Sequence, residues 1–282
     1  MSFSRSDTAR RGPAAPVLPG ALSPLTADLV HGPRRVAVVL GAYRVGVYLG
    51  VGGRVLPVLA ADGLALPGAL RLAETSAALD LGAVAGDRVV LGAGTVGLAG
   101  VTVRGVRTWR PARVRAGAVS GGARQGRAVR SLLDGASAEA PGWLARGVRG
   151  ALGGGDPHAA VHALVGRGPG LTPSGDDALA GGLLVRRARG AALAAGDPLL
   201  HAVRGRLGAT TAVSASLLAA AGGGWATPEA VRLVDAAARA DLDAVEAALP
   251  AVLALGHTSG RDLVAGVAAA LGALDVTSRS AA

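Results

Sequence analysis

Between residues 34 and 107 apolar and polar positions alternate in short runs. Arg35-Val36-Ala37-Val38-Val39-Leu40, Tyr43-Arg44-Val45-Gly46-Val47-Tyr48-Leu49 and Arg54-Val55-Leu56 form one set. Arg88-Val89-Val90-Leu91 and Val101-Thr102-Val103-Arg104-Gly105-Val106-Arg107 form another. Gly and Pro punctuate the runs, and no helical pattern separates them, so a small antiparallel β sheet or barrel is predicted. Residues 1–24, rich in Ser, Arg, Pro and Ala, read as a flexible tail, which places the β-rich domain at 25–120.

After Gly117-Ala118-Val119-Ser120-Gly121-Gly122 the pattern changes to helix formers. About eight helical segments follow from roughly 126 to 274, giving a helical domain over 121–282 and an α+β fold class. Pro141, Pro157, Pro198 and Pro228 sit where first helical turns begin. Inside the helical domain a pair of strings recurs at an offset of 85 residues: Thr172-Pro173-Ser174-Gly175-Asp176-Asp177 and His257-Thr258-Ser259-Gly260-Arg261-Asp262. Each carries a hydroxyl followed three positions later by an acid and then an apolar run, the signature of a capping box. A helix N-terminus is also an anion site, because its first N–H groups lack intrahelical partners and the macrodipole is positive there.

Composition narrows the chemistry. The 29 basic residues are all Arg, and Lys, Asn and Ile are absent, a bias of GC-rich coding that discounts the net charge of +10 as a sign of nucleic acid. Three Trp, two Tyr and one Phe leave almost no stacking platform for single strands. Without Cys there is no thiolate nucleophile or Cys-type zinc site, and without Lys there is neither a Walker A loop nor a Schiff-base lysine. No run reaches membrane-span length, so a cytoplasmic protein without membrane or nucleic-acid partners is expected. Arg104, Arg107, Arg110, Arg113, Arg115, Arg124, Arg127 and Arg130 have no acid among them and are expected to dock an acidic partner.

The segment from Gly166 to Asp177 is the most specific in the chain. Gly168, Gly170 and Gly175 let backbone N–H groups approach a ligand, and Thr172 and Ser174 offer hydroxyls. Ser174 with Asp177, and Ser259 with Asp262, can be capping boxes without function. Adjacent helical residues diverge by about 100°, so Asp176 is free of that role. It is the expected functional acid and a candidate Mg²⁺ ligand, the metal otherwise left open. His257, beside Thr258, Ser259 and Gly260, is the expected general acid. Thr210, Thr211 and Ser214 open another helix, where small hydroxyl residues either permit close packing or line a polar pocket.

These strings, with Trp109-x-Pro111 and Thr211-x-x-Ser214, resemble the AllH family over roughly residues 30 to 275; Arg167 and Arg261 depart from its pattern. The resemblance implies a subunit of oxamate carbamoyltransferase in allantoin breakdown. It implies that oxalurate and phosphate give oxamate and carbamoyl phosphate, with several different subunits acting together on a small anionic substrate. Asp176 and His257 are then the expected catalytic residues. Gly168, Gly170, Thr172, Ser174, Gly175, Asp177, Thr211, Ser214, Thr258, Ser259, Gly260 and Asp262 are the expected binding residues. The alternative is a non-catalytic module that senses a carboxylated or phosphorylated metabolite.

Overall fold

The computed structural model describes residues 16–117, 121–190 and 196–280; most of the expected tail and a few residues of the expected interdomain joint lie outside them. Eight strands, β1 (Val17–Leu22), β2 (Arg35–Tyr43), β3 (Gly46–Val51), β4 (Arg54–Leu59), β5 (Leu70–Leu72), β6 (Arg88–Gly92), β7 (Thr95–Gly97) and β8 (Thr102–Thr108), close a barrel in the order β1-β5-β4-β3-β2-β6-β7-β8. The barrel is not purely antiparallel, since β1 pairs with β8 and β4 with β5 in parallel. Val17–Leu22, read from the sequence as tail, is the strand that completes closure. A short apolar run beside Pro19 and Gly20 carries little periodicity, and only pairing on both sides makes it a strand.

Inward positions obey the two-residue period: Ala37 and Val39 of β2, Val47 and Leu49 of β3, and Leu56 and Val58 of β4 fill the interior. Gly52 and Gly53, with φ of +56° and +76°, turn β3 into β4 in a two-residue hairpin that requires left-handed backbone. A short helix, α1 (Ala27–His31), follows β1 and buries Leu29 and Val30 against the barrel.

The remainder of the described chain is helical: α2 (Ala123–Ala136), α3 (Gly142–Leu152), α4 (Pro157–Leu164), α5 (Ser174–Ala188), α6 (Pro198–Arg206), α7 (Ala212–Gly222), α8 (Pro228–Arg239), α9 (Leu242–Leu253) and α10 (Ser259–Ser280). Pro157, Pro198 and Pro228 open their helices behind the capping side chains of Asp156, Asp197 and Thr227, whereas Pro141 sits one residue before α3.

Three of these helices recur. The starts of α3, α4 and α5 are repeated by those of α8, α9 and α10 after 85 or 86 residues, and Asp156 and Asp241 are the N-caps of α4 and α9, accepting from the His158 and Ala244 N–H groups. The two long central helices, α5 and α10, cross in direct backbone contact. A Cβ on Gly181 of α5 would lie 2.4 Å from the Leu263 carbonyl oxygen, and one on Gly266 of α10 would lie 1.9 Å from that of Ala178. Gly181 and Gly266, like Ala178 and Leu263, are 85 residues apart, so each half of the crossing repeats the other. Around this axis α7 and α8 pack on α5, while α2 and α3 pack on α10.

The barrel and the helices share a seam. The Trp109 indole N–H donates to the Ala69 carbonyl at 2.9 Å, and Leu217 of α7 packs with Tyr48, Leu59 and Leu66 of the barrel side. Val114 N–H donates to the Gly224 carbonyl at 2.9 Å, tying the strand exit to the end of α7.

Candidate functional site

The recurring strings meet. Thr172, just before α5, and Ser259, the first residue of α10, hydrogen-bond through their hydroxyls at 2.8 Å. They stand at one side of a cleft of about 260 Å³ that runs between the central helices and the barrel. Asp177 belongs to the same lining, and beyond it the walls are apolar: Leu64 and Leu66 from the β4–β5 connection, Leu171, Leu184, Leu217 and Trp225. Among the described residues no Arg or His lines the cleft. A second depression along the same seam shares Tyr48, Leu66, Leu217 and Trp225 with it.

The adjacent acids have opposite surroundings. Asp176 is 1% exposed, and its carboxylate is fully engaged. Oδ1 accepts from the Gly166 N–H at 2.8 Å, and Oδ2 accepts from the Ser214 hydroxyl at 2.6 Å and from the Thr210 hydroxyl. Asp176 thus ties the start of α5 to the α4–α5 loop and to α7. Thr211 completes the knot: its hydroxyl donates to the Leu171 carbonyl and accepts from the Ser214 N–H at 3.0 Å. The Thr210/Ser214 spacing seen in the sequence therefore serves one buried carboxylate.

Asp177 faces the cleft. Although the residue keeps some exposure, its Oδ2 is shut off from solvent and has no protein donor. Burial pushes its carboxyl up to about 8. The Ser259 and Thr172 hydroxyls pull the other way, while the neighbouring charges of Asp262 and Asp176 push further up. Near neutral pH the group carries a proton. Asp262, its counterpart in α10, is 2% exposed, and its Oδ2 likewise has no partner.

Several expectations change. Ser174 is not an N-cap: α5 starts at Ser174 itself, Pro173 precedes it, and no side chain caps the helix, since Pro173 supplies the carbonyl that the Asp176 and Asp177 N–H groups reach. A proline in the capping position has no hydroxyl to offer. Ser259 likewise lies inside α10, and its hydroxyl goes to Thr172. Asp176 does not line the cleft. Gly175 and Gly260 serve helix packing rather than ligand approach, because a Cβ there would lie 2.0 Å from the Leu164 and 1.9 Å from the Val252 carbonyl oxygen. Gly168 and Gly170 take left-handed backbone, with φ of +121° and +89°, in the exposed loop before α5. His257 and Thr258 are exposed on the turn into α10 and do not line the cleft.

Arg167 stacks on the Trp143 ring at 4.1 Å, and Arg261 pairs with Glu139 at 2.8 Å, so neither reaches the cleft. The basic stretch is not uncompensated: Arg130 pairs with Asp275 at 2.5 Å, and Arg113 Nε donates to the Gly223 carbonyl at 3.0 Å. Arg104, Arg107 and Arg110 remain exposed on or just after β8. No group of three or more His, Cys, Asp or Glu among the described residues is placed to hold a metal ion, and both carboxylate oxygens of Asp176 already accept protein hydrogen bonds. Tyr48, Leu64, Leu66 and Trp225 escape sequence reasoning altogether, because walls contributed by distant elements carry no local signal.

The structure thus joins a barrel to a helical unit in which α3–α5 recur as α8–α10, with a carboxyl group and two hydroxyls in a mainly apolar cleft at the join. Residues 164–271 match the family model described as oxamate carbamoyltransferase subunit AllH. The matched segment carries Thr172, Asp176, Asp177, Ser214, Ser259 and Asp262, and it includes none of the barrel. No solved structure matches the chain. Among the described residues no helix is long and apolar enough to cross a membrane.

Proposed function

We propose that the chain is a subunit of a carbamoyl-transferring assembly and that the cleft holds the carbamoyl end of a ureido compound. The observation that carries this reading is the grouping of Asp177, Thr172 and Ser259 at one cleft, inside the segment that matches a carbamoyltransferase subunit family. A carbamoyl group, –CO–NH₂, has two N–H donors and a carbonyl acceptor. Protonated Asp177 and the two hydroxyls offer both kinds of partner. In the exchange with phosphate, a phosphate oxygen bonds to the ureido carbon and the bond from that carbon to the substituted nitrogen breaks. The leaving nitrogen takes a proton, which Asp177 is placed to supply at a pKa suited to neutral conditions.

With oxalurate the products are oxamate and carbamoyl phosphate. Both the phosphate and the oxalurate carboxylate need positive charge, and the cleft has none of its own. Other subunits therefore supply it, and the isolated chain does not turn over. Reconstitution with candidate partner subunits, oxalurate and phosphate, with carbamoyl phosphate as readout, tests this. Asp177→Asn is expected to cut turnover at least tenfold in an assembly that still forms. Full activity in that variant, or carbamoyl transfer by the assembly without this chain, contradicts the reading.

A further inference from the structure

The outer side of the barrel lacks the pattern of a solvated sheet. On β2 the inward Ala37 and Val39 are buried, but the outward residues are Val36, Val38 and Leu40, which are 48%, 41% and 41% exposed. On β6 Val90 is 47% exposed between the buried Val89 and Leu91. A strand with one wet face alternates apolar and polar residues, whereas a strand covered on both faces reads as a continuous apolar run. Val36–Leu40 and Val89–Leu91 have the sequence of covered strands, yet their outward side chains are exposed.

Strand pairing joins these positions into one strip. Val36 faces Val90 across β2 and β6, Val90 faces Gly97 of β7, Gly97 faces Thr102 of β8, and Thr102 faces Val17 of β1, itself 53% exposed. The strip therefore crosses five strands without a charge. Arg88, two residues before Val90, borders it on one side. Arg104, two residues after Thr102, borders it on the other, because β6 and β8 run in the same direction on either side of β7. Both arginines are exposed, and neither forms an ion pair among the described residues. A contiguous exposed apolar surface with a polar rim marks an interaction site.

The charge of the rim selects the partner. A second copy laid on this face would bring arginines against arginines, with no acid in the strip to separate them. Residues 1–15 carry Arg5, Arg10 and Arg11 against one acid, Asp7, and so offer the same sign. An apolar ridge between carboxylates complements both the strip and its borders.

We propose that this face of the barrel docks a different subunit of the assembly, through an apolar surface of that subunit bordered by Asp or Glu side chains. The proposal rests on the subunit reading above and adds where, and by what chemistry, the subunits meet.

Sedimentation velocity of the full chain mixed with each candidate partner subunit, without oxalurate or phosphate, tests it. The parent is expected to associate with at least one of them, at least threefold more weakly as ionic strength rises from about 0.05 to about 0.5 M. Val90→Glu places a negative charge inside the strip, and the double variant Arg88→Glu/Arg104→Glu reverses its borders. With folding checked by circular dichroism, each is expected to weaken association at least tenfold. Leu253→Glu, at an exposed leucine of α9, is expected to leave it unchanged. No association by the parent, parental affinity in either barrel variant, or an equal loss in Leu253→Glu overturns the proposal. Self-association of the isolated chain, or its flotation with phosphatidylglycerol vesicles, overturns it too if Val90→Glu abolishes either. An assembly that forms through this face but transfers no carbamoyl group leaves the docking surface standing and removes the reaction, whereas full turnover and parental affinity with Val90→Glu remove the docking surface alone.

Discussion

Replacing Asp176 by Ala should destabilise the helical domain far more than any change at its neighbour. The substitution removes three hydrogen bonds to a carboxylate that is 1% exposed. Bonds to charged groups contribute about 1.5–3 kcal/mol each. The Thr210 and Ser214 hydroxyls can rotate to other acceptors, whereas the Gly166 N–H is fixed by its backbone, with φ of +77°. A net loss of about 3–5 kcal/mol follows, and at about 2–4 °C per kcal/mol for a unit of this size the melting temperature falls by about 6–20 °C. Asp177→Asn, by contrast, removes a carboxyl oxygen that has no donor, and should change stability at pH 7 by less than about 1 kcal/mol or raise it. Thermal unfolding of both variants, followed by circular dichroism at the helical band, checks the contrast. A melting temperature within about 2 °C of the parent for Asp176→Ala, or equal losses in the two variants, would refute the assignment of structure to Asp176 and ligand to Asp177.

Two further outcomes follow from the same geometry. The Asp177 carboxyl sits at about 8 in the folded chain against an ordinary value of 3.8, so between those values the folded state holds a proton that the unfolded state releases. Its contribution is therefore fully present below about pH 4 and declines as pH rises towards 8, by up to about 1.4 kcal/mol per unit. Urea unfolding between pH 5 and 9 should show this decline in the parent and its absence in Asp177→Asn; parallel profiles would contradict it. Gly266→Ala places a Cβ 1.9 Å from the Ala178 carbonyl oxygen and must force α5 and α10 apart, at a cost of about 3 kcal/mol or more. Gly272→Ala, with nothing within 4 Å of its Cβ, should be neutral or slightly stabilising in the same melts.

Much of the architecture is determined by the sequence on its own. Two-residue alternation from Arg35 onward marks strands whose inner faces fill a barrel, because side chains of a strand alternate between its faces whatever surrounds it. Prolines at 157, 198 and 228 mark helix starts, because a missing N–H is harmless there. The offset of 85 residues exposes the repeated unit, and with it the two strings that meet at Thr172 and Ser259. The tertiary structure decided what local pattern could not. Whether Val17–Leu22 is a strand depends on two partners remote in sequence. Asp176 and Asp177 are adjacent and chemically identical, so no spacing rule distinguishes a carboxylate held by Gly166, Thr210 and Ser214 from one with an oxygen left without a donor. That difference arises only when α7 closes on one side of α5 and the barrel and α10 on the other, because hydrogen-bond partners and local dielectric belong to the packed neighbours and not to the residue.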